Sequence, residues 1–306
     1  MPMSAAAAGP LKIVLHLGAH KTASTHLQIA LGRARTALTA RGVAMFLPGD
    51  LRRDGLRLTG CLSAQHADGA HAKMIRNAFA ESARGARVLL ISEENIVGTA
   101  HDPAMIDRAQ FYPHAQARLA RLAALLPQGQ VTLALAMRDP AGFLVSAYSQ
   151  RLLSGRVAPF DGFCGGLDPA LLSWRDLVTR LRGAVPGAEM LLWCYEDYPA
   201  IAGPVLSAML GERAASHVQP GRAPAHVGLS AAAHAALLAE APQLSRAGPK
   251  AARARAVALR AQFSREKGHP PLALLDKATR ARAGTAYARE VAQMAALPEL
   301  RLLAKG

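Results

Sequence analysis

Short apolar runs alternate with amphipathic stretches through the first two-thirds of the chain. LKIVLHL over 11–17 is dense in branched apolar residues and stops at Gly18, which predicts a buried strand. A helical pattern starts at Thr22, with Leu27, Leu31, Ala34 and Leu38 on one face and Gly42 closing it. Val43 to Leu47 reads as a second strand, 48–70 as a long Gly-, Arg- and Asp-rich loop, and 71–84 as a helix. RVLLIS (87–92) is a strand followed by the acidic turn Glu93-Glu94-Asn95, and His114 to Leu126 is a helix. VTLALAM (131–137) is a strand, then Arg138-Asp139-Pro140 opens a helix running to about Ser154, with Asp139 as N-cap and Pro140 at the first helical position. A Gly/Pro-rich loop over 155–169, a helix over 170–183 and the strand EMLLWCY (189–195) complete the pattern. Beyond Tyr198 the chain reads as helix and loop without a strand.

Apolar strands separated by helices predict an α/β fold, with a central parallel sheet flanked by helices on both faces. No linker and no internal repeat interrupts it, so 1–306 reads as one domain. Residues 11–200 form its α/β core and 201–306 a helical C-terminal extension.

Composition narrows the class. Half of the 306 residues are hydrophobic, enough for a sizeable core. Cys61, Cys164 and Cys194 are few and far apart, which excludes a disulfide framework and a zinc ribbon. No apolar run reaches about 18 residues, and Met1 to Pro10 lacks the basic segment and apolar core of a secretory signal. A cytoplasmic protein is expected. The net charge is +15, and 13 basic against 4 acidic residues between Arg246 and Gly306 place +9 there. Arginine outnumbers lysine 29 to 7 in an alanine-rich chain, a bias that GC-rich coding produces by itself. Aromatic residues do not interleave with the basic run, so no stacking platform for single strands is visible and no nucleic-acid partner is expected. The basic surface is either solvated or faces an anion.

The strongest chemical signal is strand, then Gly18-Ala19-His20-Lys21-Thr22-Ala23-Ser24-Thr25, then helix. A helix N-terminus offers unpaired N–H groups and partial positive charge to an anion. Lys21 adds a full charge, and Thr22, Ser24 and Thr25 add hydroxyls. The spacing is not that of a G-x-x-x-x-G-K-[ST] nucleotide loop, because Lys21 stands three residues after Gly18 and follows His20. LHLGAHKTASTHLQ resembles the 5′-phosphosulfate loop of sulfotransferases that use 3′-phosphoadenosine 5′-phosphosulfate (PAPS), in the bacterial form hxGxxKTGTTxLQ. Ala23 stands where glycine is usual and Ser24 where threonine is usual. An alanine there is acceptable if the residue is already helical.

A second segment, LAMRDPAGFLVSAYSQRL, matches the same family's 3′-phosphate site, an arginine at a strand end with a serine eight residues on: Arg138 and Ser146. Physically, an arginine fork at the C-terminal end of a strand can hold a phosphate bidentately while a hydroxyl takes a further oxygen. MLLWCYEDY resembles the family's strand-plus-YED segment, which implies Tyr195 near the adenine, although packing accounts for that tyrosine nearly as well. The ending, Tyr287 through Leu303, is similar to bacterial members. No counterpart of the late Arg-Lys-Gly element of some cytosolic members is present. Arg222 is the one candidate for that contact.

The resemblance implies a P-loop-like sulfotransferase fold and transfer of a sulfuryl group from PAPS to a hydroxyl or amine, without a covalent enzyme intermediate or a metal. Lys21 is then expected to meet charge on the bridging oxygen, with His20 either touching the same group or packing under the loop. The family's base, a histidine or glutamate, often follows the strand between the two phosphate motifs. Here that position offers Glu93, preferred as nearer the strand end, and Glu94; the pair also reads as the cap of a short helix. His66 and His71 are weaker candidates, and no His/Cys spacing suits a metal. The acceptor, a carbohydrate, lipid or other small molecule, is expected to meet 48–86 and 155–170. Their Arg and His residues suit an acidic sugar, and Phe160 and Phe163 suit a hydrophobic aglycone. The competing readings are a P-loop kinase or triphosphatase and a non-catalytic anion-binding protein.

Overall fold

The computed structural model describes residues 9–52, 56–63, 69–99, 105–221 and 228–305. Strand β1 (Lys12–Gly18) leads into α1 (Ser24–Arg33), α2 (Arg35–Thr39) and β2 (Val43–Phe46). Two short helices, α3 (Pro48–Leu51) and α4 (Leu58–Ser63), precede α5 (Gly69–Ala83) and β3 (Val88–Ser92). A small hairpin, β4 (Ile106–Asp107) and β5 (Gln110–Phe111), precedes α6 (Ala115–Ala123), β6 (Gln130–Met137) and α7 (Pro140–Leu153). Next come α8 (Phe160–Cys164), α9 (Trp174–Ala184), β7 (Glu189–Cys194), α10 (Tyr198–Leu210) and α11 (Glu212–Ala215). The C-terminal part holds α12 (Ala231–Ala239), α13 (Ala241–Ala247), α14 (Pro249–Gln262), α15 (Lys277–Ala295) and β8 (Leu300–Leu303).

Six strands form one parallel sheet in the order β2-β3-β1-β6-β7-β8. The fold is α/β, as the alternation of apolar strands and helices predicts. Because β-strand side chains alternate, each strand feeds two cores. Ile13, Leu15 and Leu17 meet α5, α6, α7 and α9 on one face, while Val14, Leu90, Ala134 and Trp193 meet α1, α2 and α10 on the other. A third cluster joins α7, through Tyr148 and Leu152, to Leu237 of α12 and Ala252, Ala256 and Leu259 of α14. Helices α12 and α14 therefore pack on the helix that follows β6.

Several elements differ from the sequence reading, among them α8 inside the loop read over 155–169 and the β4–β5 hairpin. The C-terminal part is not all helical: β8 pairs with β7, Met190 opposite Leu300 through Trp193 opposite Leu303, and forms the sheet edge. Four residues, one of them the exposed Arg301, carry too little apolar alternation to announce a strand. The long loop over 48–70 contains α3 and α4, each too short for a 3.6-residue period to show. The first helix starts at Ser24 rather than Thr22 and breaks at Ala34, yet Leu27, Leu31, Ala34 and Leu38 all remain buried. Among the described residues, no helix is long and apolar enough to cross a membrane, and no group of three or more His, Cys, Asp or Glu could hold a metal ion.

Candidate functional site

In sequence order the sheet runs away from β1 in both directions, toward β3 and β2 on one side and toward β6, β7 and β8 on the other. Loops leaving adjacent strands on opposite sides of such a switch point diverge, and the crevice between them is where open α/β sheets bind ligands. Here it lies at the C-terminal ends of β1 and β6. A cleft of about 1430 Å³ opens there. His20, Lys21, Ala23, Ser24 and Thr25 from the β1 loop all line it, together with Glu94, Arg138, Ser146 and Tyr195. Of the residues singled out from sequence, Thr22 and Glu93 do not line it. Arg222 and His66 lie outside the described residues, and His71 pairs instead with the Leu56 carbonyl at 2.8 Å.

In the β1 loop the N–H groups of Ala19 and His20 are spent on the Leu17 carbonyl and the Tyr112 hydroxyl, while those from Lys21 to Thr25 have no partner among the described residues. Gly18, Ala19, Lys21 and Ala23 have φ of 72°, 77°, 65° and 66°, with His20 and Thr22 between them outside that region. Alternation of left- and right-handed residues turns successive N–H groups to one side and makes an anion-binding concavity. The Ala19 carbonyl points inward and accepts from Thr22 Oγ1 at 2.8 Å and Ser24 Oγ at 3.1 Å. Thr22 is thus a loop brace. No side chain caps α1 and no acid sits in its first turn, so the helix start stays open to an anion. A Cβ on Gly18 would lie 2.7 Å from Ser24 Oγ and 3.0 Å from Glu94 Cβ, so only glycine fits. Ala23 is left-handed rather than helical, contrary to the condition set for its alanine, and that conformation strains a residue with a Cβ.

Lys21 and Arg138 meet across the crevice. Arg138 donates from Nη1 to the Lys21 carbonyl at 2.7 Å, and its guanidinium carbon stands 4.4 Å from the Tyr195 ring centroid. Such stacking fixes the plane of the fork. Trp174 donates from Nε1 to the Arg138 carbonyl at 2.7 Å and stacks on Phe111, so the strand end is anchored from below. Asp139 caps α7 through Gly142, as expected. Lys21 Nζ donates to Gln150 Oε1 at 3.3 Å. Burial, helped by the charges of Arg138 and of Arg260 on α14, lowers the Lys21 pKa to about 8. Burial also lowers that of Arg138. Two desolvated cations that raise each other's cost stand to gain most from an anion between them.

Sequence reading missed Gln150, Arg260, Gln28 and Arg52. Two of these had a usable signal: Gln150 lies one turn beyond Ser146 on α7, and Gln28 one turn beyond Ser24 on α1, so each shares a helix face with a candidate residue. Arg260 and Arg52 had none, because tertiary packing alone brings them here.

The acidic turn after β3 is divided in its duties. Glu93 is 1% exposed and takes a two-point contact from Arg52, Nε and Nη2 each at 2.7 Å, while its Oε1 accepts from Asn95 N and Nδ2. The cap-like reading of this residue is the one its geometry fits. Glu94 faces the cleft. Its oxygens accept from Arg52 Nη2 at 2.7 Å and Gln28 Nε2 at 3.0 Å. Burial works to raise its pKa, but Arg52 and Gln28 outweigh that and hold it at about 2. Gln28 is steadied in turn by Ser92 Oγ at 3.3 Å, which pairs with the buried His16 at 2.7 Å. Burial lowers the His16 pKa to about 4, so it stays neutral.

His20 packs at the back of the loop. Its Nδ1 pairs with the Tyr112 hydroxyl at 3.1 Å and its Nε2 with Asn95 Oδ1 at 3.2 Å, and its backbone N–H also donates to Tyr112. With both ring nitrogens engaged and its pKa lowered by burial, it is a neutral support for the lysine beside it. No protein-family model, no curated protein and no solved structure matches the chain.

Proposed function

We propose that the chain is a PAPS-dependent sulfotransferase, moving a sulfuryl group to a hydroxyl or amine of an acceptor. The observation that carries this reading is the meeting, in one cleft at the switch point, of the Lys21 loop with Arg138 and Ser146. These are the two phosphate motifs named from sequence, and 117 residues separate Lys21 from Arg138. In this reading the N–H groups of the β1 loop and the α1 start hold the 5′-phosphosulfate, and Thr25 and Ser24 offer hydroxyls at the same place. Arg138 and Ser146 hold the 3′-phosphate, and Tyr195 flanks the adenine end. Two phosphate motifs on separate strands suit adenosine 3′,5′-bisphosphate chemistry better than the single triphosphate track of a kinase.

Catalysis then rests on positioning and charge. The acceptor oxygen bonds to sulfur as the sulfur–oxygen bond to the 5′-phosphate breaks, and adenosine 3′,5′-bisphosphate leaves. Lys21 Nζ meets the charge that develops on that departing oxygen and moves off Gln150 to do so. Glu94, the carboxylate that faces the cleft, accepts a hydrogen bond from the acceptor hydroxyl and takes its proton as the new bond forms. A carboxylate held at about 2 is a weak base, so its main contribution is orientation, and proton transfer comes late in the displacement. Glu93 acts through Arg52 as a positioning residue. The test is calorimetric: adenosine 3′,5′-bisphosphate should bind at least about tenfold more tightly than adenosine 5′-phosphate. Equal affinities would contradict the 3′-phosphate assignment.

A further inference from the structure

The end of the cleft nearest β6 and β7 gathers Arg138, Ser146 and Tyr195. The other end lies beyond β1, at the C-terminal edges of β3 and β2. Two strand steps, about 10 Å, separate the β6 and β3 ends. Pro48, Arg52, Thr59, Glu94, Asn95 and Thr99 line this far end. Only Pro48 is apolar.

Some of its donors have no partner among the described residues. Arg52 spends Nε and Nη2 on Glu93 and Glu94, while Nη1, with two N–H groups, has no partner among the described residues. The hydroxyls of Thr59 and Thr99 likewise have none among the described residues. Arg52 is held in place because the buried Glu93 cannot lose its counter-ion, so Nη1 is a fixed fork rather than a wandering cation. Among the described residues Glu94 is the carboxylate that lines this end, paired with Arg52, whereas the opposite end gathers Lys21 and Arg138. The phenyl rings that suggested a hydrophobic aglycone are elsewhere: Phe160 and Phe163 pack on Tyr148 in the helical layer.

Building on the sulfotransferase reading of the opposite end, we propose that this end is the acceptor subsite. We further propose that it takes a polyhydroxylated, sugar-like acceptor bearing no acidic group. Several fixed donors and one carboxylate acceptor match an array of hydroxyls. A carboxylate or sulfate on the acceptor would face Glu94 at close range in a partly desolvated site. A flat aromatic alcohol would cover the threonine hydroxyls and Nη1 without replacing their hydrogen bonds to water, and a site of that kind rejects ligands that lack the matching groups.

The experiment is ligand-detected NMR binding to the full chain, with and without saturating adenosine 3′,5′-bisphosphate. The probes are a set of methyl hexopyranosides, the matching methyl uronides, and 4-nitrophenol. At least one hexopyranoside should bind about tenfold more tightly than its uronide and than the phenol. The double variant Thr59→Val/Thr99→Val should weaken that binding about tenfold, with bisphosphate affinity and melting temperature unchanged. Tighter or equal binding of a uronide or the phenol overturns the inference, as does bisphosphate binding with no hexopyranoside binding. Hexopyranoside preference without any bisphosphate binding would uphold the subsite and overturn the sulfotransferase reading instead.

Discussion

Arg138 donates to the Lys21 carbonyl oxygen at 2.7 Å, so the guanidinium that ends β6 and the loop that ends β1 are one mechanical unit. The side chain that reads one phosphate also sets the backbone that reads the other. Replacing Arg138 therefore removes a ligand and loosens the loop together. Arg138→Ala should weaken adenosine 3′,5′-bisphosphate binding by about 2–5 kcal/mol. Arg138→Lys should recover little, because a point charge cannot make the fork contact or stack on Tyr195. Titration calorimetry of both variants checks this.

Lys21 gives a pH signature. Its pKa near 8 leaves it half protonated at pH 8, and a bound anion favours the charged form. Binding at pH 8 should therefore take up about half a proton at Lys21, and affinity should fall as pH rises through 8. Calorimetry in buffers of different ionisation enthalpy measures the uptake. Lys21→Met should abolish both the uptake and most transfer activity.

Glu94 is the mirror case. Its folded pKa of about 2 lies below the ordinary value of 4.5, so the native state binds fewer protons than the unfolded state in that window. The stabilisation it supplies is complete above pH 4.5 and is lost as pH falls toward 2. Denaturation of Glu94→Gln against wild type should show a stability gap at pH 7 that closes across that range. Glu94→Gln should also lower turnover while leaving bisphosphate affinity nearly intact.

The backbone of the β1 loop makes a paired prediction. Ala23→Gly should stabilise the protein by about 1 kcal/mol, because glycine adopts the left-handed conformation without the Cβ penalty. Gly18→Ala should destabilise it by about 1–3 kcal/mol, because a Cβ there meets Ser24 and Glu94. Thermal melts of the two variants, with opposite signs expected, decide it.

The fold and much of the site were legible in the chain because local order carries them. Strands β1, β3, β6 and β7 are apolar runs with clean ends, Lys21 and Arg138 sit where those ends fall, and Ser146 lies on the helix that follows. What was not legible depends on distant partners. β8 is a four-residue edge strand whose identity comes from β7, more than a hundred residues earlier. Nearness to the strand end suggested Glu93 over Glu94, but the two are told apart by Arg52, which follows α3 and makes a two-point contact with the buried Glu93. Ala23 reads as tolerable from its residue type alone, and only the φ of 66° reveals its strain.

The most direct test of the central claim is a calorimetric titration of the wild-type protein and Arg138→Ala with adenosine 3′,5′-bisphosphate, alongside ATP with Mg²⁺. The account predicts micromolar or tighter binding of the bisphosphate to wild type, much weaker binding of ATP, and loss of the bisphosphate preference in Arg138→Ala. Preference for ATP, or bisphosphate affinity indifferent to Arg138, would contradict it.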